Sequence, residues 1–272
     1  QIMKRFPCQF AVASILVLFS LQSMAGLLIN PKRIVLEERE RAAALDLLND
    51  GTEKARYQIY FEQKIMLPNG SIVDLEELDP DTTYSKDMIR YSPRRVDIEP
   101  GARQTIRIAA RRPKDLEEGE YVSHLVFKEI PIQEEVGDKK EDEDLSVTLK
   151  PKLKIAIPII VRKGSLASTA GVKNVRFDGE EGKHGAFKLT LTRVGSVSLY
   201  GSVEVYDYTG GTLGERLAVS KGVGVYTEVT ERAVTVRMPQ ALSPDVKEFL
   251  IRFDEDEKYG GSNLVDVPFS LN

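Results

Sequence analysis

Side-chain catalysis needs a nucleophile, a base or a metal site, and this sequence is short of all three. Its 272 residues include two histidines, one cysteine and no tryptophan. His124 lies inside an alternating apolar run, and His184 lies in "GEEGKHG" beside Glu180 and Glu181. No G-x-S-x-G elbow precedes a helical pattern, so no serine is presented as a nucleophile. No G-x-G-x-x-G or P-loop offers backbone amides to a phosphate. His and Cys are too few for a transition-metal cluster. The acidic "IQEEVGDKKEDED" lacks the ligand spacing and terminal Glu of an EF-hand, and reads as a solvated loop. Paired carboxylates on a charged surface usually serve solvation. We expect no enzyme, no cofactor and no metal.

The chemistry that remains is binding, and one stretch carries the signal. In "LSVTLKPKLKIAIPIIV" every second residue from Leu145 to Val161 is apolar. Such alternation is a β-strand with one apolar face, here ~55 Å long at about 3.3 Å per residue. A sandwich domain of about 100 residues cannot cover so long a face with its own core. Pro151 and Pro158 have no N–H for a sheet ladder, which favours an edge. Lys150, Lys152 and Lys154 line the other face. Charge on an edge prevents aggregation, and it equally suits an edge that adds a partner's strand.

The elements around this strand are short. Before it run "LLINPKRIVLEE", "RAAALDLLNDG", "ARYQIYFEQKIML", "MIRYSPRRVDIEPG", "RQTIRIAAR" and "EYVSHLVFKEIP". "RAAALDLL" could be helical by propensity. The alternation of Ala43, Leu45 and Leu47 makes it a strand. Pro68-Asn69-Gly70 and Pro100-Gly101 mark turns. Seven strands in so short a span predict an immunoglobulin-like sandwich. After Lys163-Gly164 a second set begins with "AGVKNVRF" and ends with "LVDVPFSL", predicting another β-sandwich or small barrel. The fold expected is all-β: residues 26–162 form one domain and 163–272 a second.

Residues 1–25 read as a secretory signal. Lys4 and Arg5 precede the apolar "FAVASILVLFSLQ", and Ser23 and Ala25 supply the small residues of a cleavage site. The apolar run is shorter than the ~20 residues of a membrane span, so no stable insertion is expected after cleavage. Gln1 and Ile2 read as an upstream extension. The one cysteine, Cys8, lies inside the signal. An exported chain without disulfides points to the periplasm of a Gram-negative cell. The net charge of −4 speaks against bulk nucleic-acid binding.

Four segments in order, "INPKRIVLEE", "YSPRRVDIEPGARQTIRI", "GEYVSHLVFKEIP" and "LSVTLKPKLKI", resemble the periplasmic pilus chaperones of the chaperone–usher pathway. The likeness covers residues 26 to about 162 well and the rest weakly. It implies two immunoglobulin-like domains set at an angle, with a cleft that binds a pilus or fibre subunit. It implies that the seventh strand is lent to the subunit through Leu145, Val147 and Leu149, with Leu153 as a fourth position. The subunit's C-terminal carboxylate would be held by Arg33 and Lys154, with Lys152 as the alternative lysine. An outer-membrane usher becomes an expected partner, and a self-dimer would hide the free edge. The alternatives are plain: a surface ion pair of Arg33 with Glu37 or Glu38, and a solvated Lys154. Val126 stands where many members carry Asn, and alternation continues past Lys154 further than usual, which marks a divergent branch.

The rival reading is an exported two-domain β-sandwich acting as a structural or adhesive component of a surface fibre. A fibre subunit usually carries a donor extension before its first strand. Here the first strand begins within a few residues of Gly26, which favours the chaperone.

Overall fold

The structure, a computed structural model, describes residues 26–132, 152–179 and 184–271. The first half contains β1 (Leu27–Asn30), β2 (Ile34–Leu36), β3 (Ala42–Asn49), β4 (Ala55–Glu62), β5 (Lys64–Met66), β6 (Ile72–Asp74), the one-turn helix α1 (Ser85–Met88), β7 (Ile89–Ser92), β8 (Arg95–Ile98), β9 (Arg103–Ala110), β10 (Gly119–Ile130) and β11 (Lys154–Lys163). The second half contains β12 (Ser168–Asp178), β13 (Ala186–Gly195), β14 (Leu199–Asp207), β15 (Arg216–Val225), β16 (Glu231–Arg237), β17 (Glu248–Glu255) and β18 (Asn263–Ser270). No helix among the described residues is long and apolar enough to cross a membrane.

Alternation sorts these strands into two sandwiches. The first packs sheet β1-β3-β9-β7 against sheet β2-β11-β10-β4-β8. Its core takes the inward residues of each strand: Leu45 and Leu47, Ile106 and Ile108, Leu125 and Phe127, Ile157, Ile159 and Val161. The second packs β12-β13-β16 against β15-β14-β17-β18 around Phe187, Leu191, Val236, Phe249 and Phe253. The "RAAALDLL" run is a strand, β3, with Leu45 and Leu47 buried as its alternation demands.

Two of the runs that read as single strands each divide between the sheets. The first becomes β1 and β2 on either side of Pro31. The fourth becomes β7 and β8 on either side of Pro93. A proline has no N–H for the ladder, so the chain leaves one sheet there and enters the other. The third run divides differently. After β4 it leaves the sandwich as β5 and turns at Pro68-Asn69-Gly70, where Gly70 takes a φ of +85°, and returns as β6. This hairpin reaches the second domain. Met66 is 4% exposed and sits in the second core. The Pro68 carbonyl accepts a hydrogen bond from Ala233 N at 2.7 Å, and Arg232 packs on Gly70.

β11 pairs along its length with β10, in a register that sets Lys154 opposite Lys128 and Lys163 opposite Gly119. On its other side, β2 pairs in parallel with Ile159–Val161 alone. The stretch from Lys154 to Pro158 therefore has no partner strand on that side among the described residues. Pro158, which has no N–H to give, lies inside this open stretch.

Candidate functional site

The open stretch of β11 ends at Arg33. Ile34 stands beside Ile159, which puts Arg33 level with Pro158. Arg33 is 3% exposed. Its cover comes from the second domain: the guanidinium carbon lies 4.9 Å from the ring centre of Tyr200, 5.2 Å from Tyr226 and 5.9 Å from Tyr259. Nη2 donates to Ser198 Oγ at 2.6 Å. The Tyr259 hydroxyl donates to the Arg33 carbonyl at 3.2 Å. Nε and Nη1 are buried with no hydrogen-bond partner.

Magnitudes decide what this arrangement lacks. A desolvated cation–π contact contributes ~2 kcal/mol, and a hydrogen bond to a charged group ~1.5–3 kcal/mol. The residual cost of taking an ion out of water is several kcal/mol. Tyrosine faces attract the charge, but two guanidinium donors, Nε and Nη1, stay without a hydrogen-bond partner. A carboxylate or another planar oxyanion would answer both, because the guanidinium fork matches its geometry.

Ser198 joins the domains with three groups at once. Its hydroxyl accepts from Arg33, and its N–H lies 3.1 Å from both oxygens of Glu120. Its carbonyl is 3.5 Å from Arg162 Nη2. Arg162 Nε donates to Glu120 at 2.9 Å, and Nη1 to Glu37 at 2.7 Å. The Glu120 side chain is fully buried. Burial alone would lower the Arg162 pKa, but Glu120 and Glu37 outweigh it and hold the guanidinium charged.

The residues singled out by sequence lie in different surroundings. Arg33 is buried at the domain junction, not paired with Glu37 or Glu38: Glu37 pairs with Arg162, and Glu38 with Lys163. Lys154 binds Glu62 at 2.7 Å on the exposed face of β11, and Lys152 binds Glu129 at 3.3 Å. Four residues of strand, roughly 13 Å at about 3.3 Å each, separate Lys154 from the level of Arg33, so the two are not brought together. Burial pushes the Glu62 carboxyl up, but hydrogen bonds from Lys154, Lys64 and Tyr60 outweigh it and bring its pKa to about 2. Leu153 is half-buried at the margin of the first core. Leu145, Val147 and Leu149 lie outside the described residues.

A family model, the pili and flagellar-assembly chaperone PapD N-terminal domain, matches residues 26–162. The chain belongs to this chaperone family. No curated relative matches it. Three similar solved structures are the E. coli chaperone DraB, the SafB chaperone of Salmonella enterica in complex with the SafA pilin, and the CsuC–CsuE chaperone–tip adhesion subunit complex of Acinetobacter baumannii. DraB is 13% identical at a TM-score of 0.47, covering 92% of this chain and 98% of that one. The SafB match is 14% identical at 0.43, covering 90% and 96%. The CsuC–CsuE match is 14% identical at 0.44, covering 90% and 97%.

The chaperone's junction holds residues that sequence reading passed over. Glu120 and Arg162 are directly opposed in the β10–β11 register. A charge in each of two adjoining apolar runs was the legible signal for them. His124 was visible as a lone histidine in an apolar strand, and it is 2% exposed with Nδ1 unpartnered. Ser198, Tyr200, Tyr226 and Tyr259 left no local signal, since their partner is 165 or more residues away in the case of Ser198 and Tyr259.

Proposed function

We propose that this chaperone acts in the periplasm, after loss of residues 1–25, on pilus or fibre subunits. It lends the subunit the strand segment of Leu145, Val147 and Leu149 that leads into β11, and it holds the subunit's C-terminal carboxylate at Arg33. The observation that carries this reading is the Arg33 guanidinium, buried with two unanswered donors at the end of an open strand edge. An incoming strand that pairs with β11 from Lys154 toward Pro158 would bring its terminus to that point. The carboxylate would then fix the register, and a slip of one residue would turn every donated side chain to the wrong face. Lys154 and Lys152 flank the edge upstream and would contact the subunit strand by leaving Glu62 and Glu129. Leu153, at the margin of the chaperone's own core, would be the last donated position. A usher in the outer membrane would receive the complex, and the free chaperone would cover its edge with a second copy.

Co-expression with the subunits encoded beside it, followed by purification from the periplasm, tests this. A one-to-one complex with a small β-rich subunit is expected. Arg33→Ala removes two charge-assisted hydrogen bonds of about 1.5–3 kcal/mol each, and so weakens the complex by roughly 100-fold to 10,000-fold. Val147→Asp places a charge on the donated face and abolishes capture. A complex that survives Arg33→Ala unchanged sinks the anchor, and one that survives Val147→Asp sinks strand donation.

A further inference from the structure

A second buried polar atom without a partner lies near Arg33. His124 lies on β10 directly opposite Pro158, and Pro158 is level with Arg33. Adjacent strands are about 4.8 Å apart, so the two backbones are separated by roughly 10 Å, with only a proline ring between them at that level. Both side chains turn toward the same roof. The Tyr226 ring centre is 5.2 Å from the Arg33 guanidinium carbon and 6.4 Å from the His124 ring centre. His124 is 2% exposed, and its buried Nδ1 has no hydrogen-bond partner. Around β2, β10 and Tyr226, three buried nitrogens, Nε and Nη1 of Arg33 and Nδ1 of His124, thus have no hydrogen-bond partner.

We propose that His124 is a second contact for the anion that Arg33 receives, and that binding the anion takes up one proton on the imidazole. This rests on the reading of Arg33 as the carboxylate anchor and adds to it a coupled group. An oxyanion bridging the two residues accepts from Nε and Nη1 of Arg33 on one side and from Nδ1–H of His124 on the other. Without the anion, a charged imidazole would face burial and two neighbouring cations, Lys64 and Arg33, against which Glu62 and Asp74 offer partial relief. Glu62 is already engaged by Lys154 and Lys64, and Lys64 by Glu62 and Asp74. Tyr226 covers the site from the second domain. These forces hold the imidazole neutral, with a pKa near 4. An anion between Arg33 and His124 cancels the repulsion and supplies a hydrogen-bond acceptor, so the imidazole regains its proton. The proton comes from solvent and returns there when the anion leaves.

The sequence makes the test clean, because His184 is the only other histidine. Nuclear magnetic resonance follows both imidazoles of the whole mature chaperone through a pH titration, in sodium formate and in sodium chloride of equal ionic strength. His124→Gln assigns the signals. The His124 midpoint is expected near 4 in chloride and about two units higher in saturating formate, with His184 unmoved. If the bound imidazole regains its ordinary value of about 6.5, formate binds about tenfold more tightly near pH 5.5 than near pH 7.5, and this dependence vanishes in His124→Gln. Formate that binds in an Arg33-dependent way but leaves the His124 midpoint in place overturns the role of His124 and leaves the anchor standing. No formate binding that Arg33→Ala removes overturns the anchor and this inference together.

Discussion

At the scale of single residues, the junction buries polar groups that have no partner. Arg33 keeps two donors unanswered, and His124 is buried where its charged form is unwelcome. The second fact has a measurable consequence for the free protein. Burial first, then Lys64 and Arg33, lower the His124 pKa from 6.5 to about 4. Between those values the unfolded chain takes up a proton that the native state refuses. Stability is therefore complete above about pH 6.5 and falls as pH drops toward 4, by roughly 3 kcal/mol over that window. Glu62 acts lower on the scale. Its folded pKa of about 2 lies below its ordinary 4.5, so its contribution is present above 4.5 and is lost as pH falls from there toward 2. Urea unfolding at a series of pH values separates the two. His124→Gln should flatten the loss between 6.5 and 4 and leave the loss below 4.5 in place. An unchanged slope in the upper window would remove His124 from the account.

At the scale of elements, the β5–β6 hairpin is the structural surprise. It belongs to the first half of the chain, yet Met66 fills the second core. Met66→Ala should cost about 2–5 kcal/mol, as large-to-small core changes do, and the damage should fall on the domain to which Met66 does not belong by sequence. Hydrogen exchange checks this: faster exchange is expected in residues 231–237, whose Ala233 N–H is bonded to Pro68, while 103–110 keeps its protection. Gly70→Ala should act in the same direction more weakly, because φ is +85° there and a Cβ would meet Arg232 Nε at 2.5 Å. The sequence made the strands legible wherever one face is buried and one is wet, as in β3 and β9, because alternation is a local signal. It obscured the sheet changes at Pro31 and Pro93, although the prolines were visible, since periodicity continues across them when both sheets share a core. Met66 was indistinguishable from an ordinary inward strand residue, because which core a side chain enters is decided by contacts far along the chain. The same holds for Lys154. Its alternation correctly put it on the polar face, but only the pairing of β4 with β10 brings Glu62 within its reach.

At the scale of the molecule, two cores are coupled through a hairpin and a polar junction, and the proposed anion site lies where they meet. The floor of that site is Arg33 and its roof is Tyr200, Tyr226 and Tyr259. Anything that uncouples the domains should therefore dissolve the site while both cores remain folded. The Glu120–Arg162–Ser198 network is the place to apply the change. Arg162→Met leaves a fully buried carboxylate with little besides the Ser198 N–H, and breaking a buried pair on one side costs about 3–5 kcal/mol. Replacing both charges, in Glu120→Leu with Arg162→Met, removes the uncompensated charge and should recover most of that loss. Stability and site integrity then part company. The single variant should unfold in two thermal transitions where the parent shows one. The double variant should regain stability, but without Glu120 it no longer holds the Ser198 backbone that carries the hydroxyl facing Arg33. Calorimetry read beside subunit capture tells the two effects apart. A double variant that is as stable as the parent and still captures subunit at full affinity would show that the Arg33 pocket is set by the first domain alone, against the two-domain site argued here.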